Sequence, residues 1–200
     1  EEPVETEWVV VDDITIKGTG HIQGLSIDKD NDGVYKDKVF TLGTIGESRR
    51  LEGFTLDIEG SGVPSDMMLV YRAHVQTYGD MPSPKDVTNH IWKDNMGNPW
   101  NKGGTYLGTK AERKRVEGIE LRLIDKKTKK EYEGYKIQYQ VHMQGYGWGI
   151  DDLENDFRDN GKIDDSFDKW VANGEFAGTR GQSRRIEAIR IRILREQSVK

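Results

Sequence analysis

The sequence predicts an all-β fold with pseudo-threefold symmetry, and three observations predict it. The first is internal repetition. Leu42–Ile58 (LGTIGESRRLEGFTLDI), Leu107–Leu123 (LGTKAERKRVEGIELRL) and Ala177–Ile193 (AGTRGQSRRIEAIRIRI) align without gaps. In each, a Gly precedes a Glu by nine residues: Gly43 and Glu52, Gly108 and Glu117, Gly178 and Glu187. The second is a His-x-Gln segment ahead of each copy, at His21, His74 and His142. The third is period-two alternation of apolar residues through both segments, the pattern of a strand with one buried face. A supersecondary unit recurring at near-constant spacing builds one fold by packing its copies together. Glu52 and Glu117 are 65 residues apart and Glu117 and Glu187 are 70 apart. Three units, at about 8–60, 61–130 and 131–200, therefore fill one domain of 200 residues. A β-prism satisfies this description and a β-trefoil does too. The length of the alternating runs favours the prism, whose flat sheets bury one face each.

Taken in order, Glu1–Glu7 reads as a mobile tail, with no cleavable leader, as expected of a mature or trimmed chain. The strand around His21 leads to Asp28-Lys29-Asp30-Asn31-Asp32-Gly33, a turn-forming stretch, and then to the first Gly-Thr segment. In the second unit Leu69, Tyr71, Ala73 and Val75 form the buried face of a strand, with His74 and Gln76 on the other. Met81–Gly104 is a long insertion. In the third unit Ile137, Tyr139, Val141 and Met143 repeat the buried face, and His142 and Gln144 the opposite one. A second, acidic insertion runs from Gly149 to Lys169 and has room for a helical turn. In the closing strands Glu52, Phe54, Leu56 and Ile58 alternate onto one face, so the recurring Glu is expected half-buried among apolar residues. It then needs a partner. Arg50, Arg115 and Arg185, two residues earlier, supply it.

Composition narrows function. Thirty basic against 35 acidic residues give a net charge of −5, without the basic balance of a nucleic-acid binder. No apolar run is long enough to cross a membrane as a helix. The absence of cysteine excludes disulfides and thiolate chemistry. No Ser/His/Asp signature, phosphate loop or HExxH motif is present, so no enzymatic activity is expected.

The residues that point to a ligand are planar and aromatic. Sugar rings stack their C–H faces on indoles and take hydrogen bonds from planar, multi-donor side chains. Trp148 and Trp170 flank the third insertion with Tyr146 nearby, and His74, Gln76, His142 and Gln144 share the outward faces of their strands. The alternatives are a buried role for the two tryptophans and a structural hydrogen-bonded layer for the His-x-Gln pairs. Trp92 and Trp100 lie in the second insertion, and Trp92, within the polar NHIWKDN, is expected exposed. The Asp28–Gly33 stretch has the DxDxDG form of a calcium loop, with Asp28, Asp30 and Asp32 as oxygen ligands. Val39 stands where the bidentate Glu of such loops falls, leaving Asp37 as the nearest substitute. A solvated hairpin turn is the other reading.

YQVHMQGYGW, followed after an insertion by WVANGEFAGTRGQSRRIEAIRIRI, resembles the clostridial hydrophobic W (ChW) repeat. The third unit carries every part of that pattern: Tyr139, His142, Gln144, Gly147, Trp148, Trp170, Asn173, Gly174, Gly178, Thr179, Glu187 and Ala188. The second keeps Tyr71, His74, Gln76, Gly108, Thr109 and Glu117, with Trp100 as the later Trp. The first keeps His21, Gln23, Gly43, Thr44 and Glu52. The resemblance implies three tandem repeats in a secreted or cell-surface, Gram-positive protein. It further implies a non-catalytic module whose partner is a polysaccharide or cell-wall glycan, or another protein.

Overall fold

In the computed structural model, residues 5–25, 31–85, 88–148 and 170–199 are described, and they form strands without a helix. In chain order these are β1 (Thr6–Val10), β2 (Thr15–Ile22), β3 (Asn31–Asp32), β4 (Val34–Lys36), β5 (Val39–Gly43), β6 (Leu51–Glu59), β7 (Met67–Val75), β8 (Gly79–Met81) and β9 (Ile91–Lys93). There follow β10 (Pro99–Lys102), β11 (Leu107–Gly108), β12 (Val116–Asp125), β13 (Tyr135–Met143), β14 (Gly147–Trp148), β15 (Val171–Ala172), β16 (Ala177–Gly178) and β17 (Ile186–Ser198). They make an all-β fold of three antiparallel sheets. At the centre of each lies one antiparallel pair, the strand that carries the recurring His beside the strand that carries the recurring Glu: β2–β6, β7–β12 and β13–β17.

The three sheets pool their apolar faces into one core. Leu69, Tyr71, Ala73 and Val75 are buried, as are Ile137, Tyr139, Val141 and Met143, so the alternation read from sequence is the alternation of the strands. The hydroxyl of Tyr71 donates to Thr105 O and that of Tyr139 to Glu175 O, so each phenol buries its ring without an orphaned hydroxyl. Burial pushes both phenols to a higher pKa. The first sheet has Gly18 at the equivalent place.

The sheets are locked together by exchange. β11, the Gly-Thr strand of the second unit, pairs with β6 of the first. β16 of the third pairs with β12 of the second, and β5 of the first pairs with β17 of the third. The following threonine continues each bond: Thr109 N donates to Glu52 O (2.8 Å), Thr179 N to Glu117 O (2.7 Å) and Thr44 N to Glu187 O (3.0 Å). This closure explains the repeated glycine. Gly178 has φ +140, and a Cβ there would overlap Glu117 O and the Cα of Gly118. It also explains the small residue after each Glu. The Tyr106 ring covers Gly53 and the Phe176 ring covers Gly118, whereas the sheet that carries Ala188 has the smaller Thr41 at the position of those two rings in the repeat.

Two expectations change. The N-terminal segment is a strand from Thr6 onward, because β17 runs past its sheet and offers Leu194–Ser198 as an edge to β1. Trp92 is buried, because Ile91–Lys93 and Pro99–Lys102 form a hairpin that sets Trp92 opposite Trp100 over Val70 and Ile124. The acidic insertion Gly149–Lys169 lies outside the described residues.

Candidate functional site

The recurring Glu sits in a β-bulge. Opposite Ile22 the register shifts between Leu51 and Gly53, and the same shift brackets Glu117 and Glu187. One extra residue reverses the strand's phase, so Leu51 and Phe54 both enter the core while Glu52 turns toward the His side. Simple alternation had placed it among the apolar side chains. There the carboxylate takes Arg50 Nε at 2.8 Å and lies 3.6 Å from His21 Nε2. Arg115 Nε reaches Glu117 at 2.7 Å and Arg185 Nε reaches Glu187 at 3.0 Å. His74 Nε2 is 3.8 Å from Glu117, and His142 Nδ1 is 3.2 Å from Glu187. All three carboxylates are buried. These contacts act in place of water on each carboxylate, so the arrangement is structural support rather than an exposed acid.

The glutamines serve the same framework. Gln76 N donates to Arg115 O and Gln144 N to Arg185 O, both at 3.0 Å, and Gln76 Oε1 accepts from Arg115 N. At the adjoining corner Arg49 Nη1 donates to Gln23 O and Arg184 Nη1 to Gln144 O, both at 2.9 Å. Each guanidinium fills space that a side chain on Gly24 or Gly145 would need. The second unit solves the corner differently. Thr77 takes the glycine's place at φ 75, and Lys114 Nζ, in place of arginine, reaches its hydroxyl at 3.1 Å.

Asp80 marks the seam between the second and third units. Its Oδ1 is 2.8 Å from His74 Nδ1 and 2.5 Å from Arg180 Nη1. Burial works to raise the Asp80 carboxyl, but hydrogen bonds from Arg180 and His74 outweigh it and hold the group below its usual range. In the third sheet Trp148 occupies the place of Asp80, opposite His142, and the two rings meet edge-to-face at 5.3 Å.

Trp148 and Trp170 are both half-buried and lie on the outer face of the third sheet. The Arg190 guanidinium is 4.0 Å from the Trp148 ring centroid and 5.8 Å from that of Trp170. Arg192 is 4.1 Å from Trp170. Arg192 Nε also donates to Gln138 Oε1 at 2.8 Å. The result is a shelf of alternating indole and guanidinium planes. Beside it Tyr146 packs under Arg184 and donates to Gln182 Oε1 at 3.1 Å. The arginines were missed in the sequence, although IRIRI places Arg190 and Arg192 on the face opposite Ile189, Ile191 and Ile193. Trp100 is a member of the second sheet's core: Arg72 and Arg122 flank its ring and its Nε1 donates to Asp94 Oδ2.

Of the calcium-loop residues, Asp28 and Asp30 lie outside the described residues. Asp32 ends β3 and Asp37 occupies the turn between β4 and β5. Among the described residues, no group of three or more His, Asp or Glu is placed to hold a metal ion.

Residues 142–195, within the third unit, match the family model Clostridial hydrophobic W. No curated protein and no solved structure matches the chain.

Proposed function

We propose that this domain is a non-catalytic carbohydrate- or cell-wall-binding module of a secreted or surface-attached Gram-positive protein, with the first two units as further members of the same repeat. The observation that carries the reading is the Trp148–Arg190–Trp170–Arg192 shelf, in the segment that matches the family. Half-exposed indoles offer flat apolar surface to sugar C–H groups, and guanidinium and amide edges beside them offer donors to hydroxyls. Binding to a glycan array that includes peptidoglycan and plant polysaccharides tests it. Trp170→Ala is expected to abolish the signal while the domain stays folded. Failure of every glycan to bind would overturn it.

A structural or protein-interaction module is the second reading. It is favoured by the internal use of the His-x-Gln pairs and by the burial of Trp92 and Trp100. Capture of a protein partner without any glycan response would select it.

A further inference from the structure

The outer faces of the three sheets differ at one pseudo-equivalent place. Asn101 is opposite Tyr71 and Val171 opposite Tyr139, which brings Trp100 and Trp170 level with Arg72 and Gln140, two residues before the His of each strand. In the first sheet the residue at that level is Asp32, opposite Thr19. The position that carries Arg122 and Arg192, beneath the indoles, is there Asp57. Where two sheets lay a ring of their own, the first has a groove of about 560 Å³, within the size range of small-ligand sites.

We propose that this groove is a second binding site, for an uncharged pyranose ring seated where the other sheets seat tryptophan. The proposal rests on the carbohydrate reading above for its ligand class, but not on the tryptophan shelf. Its floor is a ladder of polar cross-strand pairs, Thr19 opposite Thr55 and Lys17 opposite Asp57. Asp57 and Asp32 line it as acceptors with paired oxygens, the geometry that takes two neighbouring sugar hydroxyls at once. Half-buried Tyr35 supplies an aromatic wall. Lys17 Nζ is tied to Glu59 at 3.0 Å, so the lining holds more carboxylate than ammonium and repels acidic sugars.

Amide NMR of the labelled full chain tests this with cellotriose, triacetylchitotriose, mannotriose, xylotriose and galactotriose, and with trigalacturonate as the acidic control. At least one neutral trisaccharide is expected to shift the amides of Thr19, Gly33, Thr55 and Gly104 saturably. Trigalacturonate is expected to leave them in place. Asp57→Ala should weaken that response at least tenfold without altering the indole N–H responses of Trp148 and Trp170. Thr55→Trp, which fills the groove from within, should abolish it. The proposal is overturned if no neutral trisaccharide moves these amides, if trigalacturonate moves them equally, or if Asp57→Ala leaves the titration unchanged. Indole shifts without groove shifts would overturn this site alone. Groove shifts without indole shifts would overturn the tryptophan shelf.

Discussion

The second and third sheets use one residue to different ends. Trp100 and Trp170 both stand eight residues before the Gly of their Gly-Thr segment, and both lie against an equivalent arginine, Arg122 or Arg192. Trp100 is only 4% exposed, however, while Trp170 is half-buried. The difference comes from the neighbours. In the second sheet β9 adds Trp92 across from Trp100, Val70 packs below, and Asp94 accepts the indole N–H. In the third, Gln138 stands where Val70 stands, and Arg190 replaces the acidic Glu120. An aromatic motif therefore does not carry its own burial. The residues one strand away decide whether it is core or surface.

The sharpest test of that contrast is to remove both rings. Trp100→Ala should cost about 4 kcal/mol of unfolding free energy, as a large buried side chain leaves a cavity. Trp170→Ala should cost about 1 kcal/mol, the loss of a partly solvated cation–π contact. Equal losses in urea denaturation would show that the two rings are equally structural. The bulge is common to all sheets, so Glu117→Ala and Glu187→Ala should each cost about 3 kcal/mol by stranding an arginine, and by similar amounts. A melting temperature that does not move in either variant would contradict the structural role of the carboxylate.

The corner swap has a smaller effect but a diagnostic sign. Lys114→Arg alone should destabilise, because the Thr77 side chain occupies the guanidinium's space. Thr77→Gly with Lys114→Arg should restore or raise stability by about 1 kcal/mol, relieving a non-glycine residue at positive φ. Additive single effects in the mutant cycle would refute this coupling. The smallest effect is at the seam, which only the second sheet builds with Asp80. Its carboxyl is lowered in the folded state, so its contribution is full above the unfolded value near pH 4 and is lost as pH falls through the folded one. Thermal melts from about pH 6 down to pH 2 should show a shallower acid limb in Asp80→Asn. An identical limb would assign the acid sensitivity elsewhere.

Much of this was legible in advance for a physical reason. Alternation in Leu69–Val75 and Ile137–Met143 reports burial directly, because a strand's side chains must alternate. The Arg–Glu pairing follows from a two-residue spacing, with each Arg just ahead of the strand that carries its Glu. Trp92 was misjudged because its polar neighbours in sequence are not its neighbours in space. The face of Glu52 was misjudged because a bulge shifts strand phase without altering the local pattern of residue types.

The sequence by itself determined the threefold repeat, the all-β class and the buried faces of the strands at Leu69–Val75 and Ile137–Met143, since periodicity and recurrence are properties of the chain. Which unit's Gly-Thr strand closes which sheet, and that Gly43, Gly108 and Gly178 are needed for that closure, only the tertiary structure decided. The same holds for the groove of the first sheet, defined by an indole present in its two counterparts and absent at Asp32. Close approach between segments distant in sequence leaves no local pattern, and it is this approach that turns one repeated unit into three different surfaces.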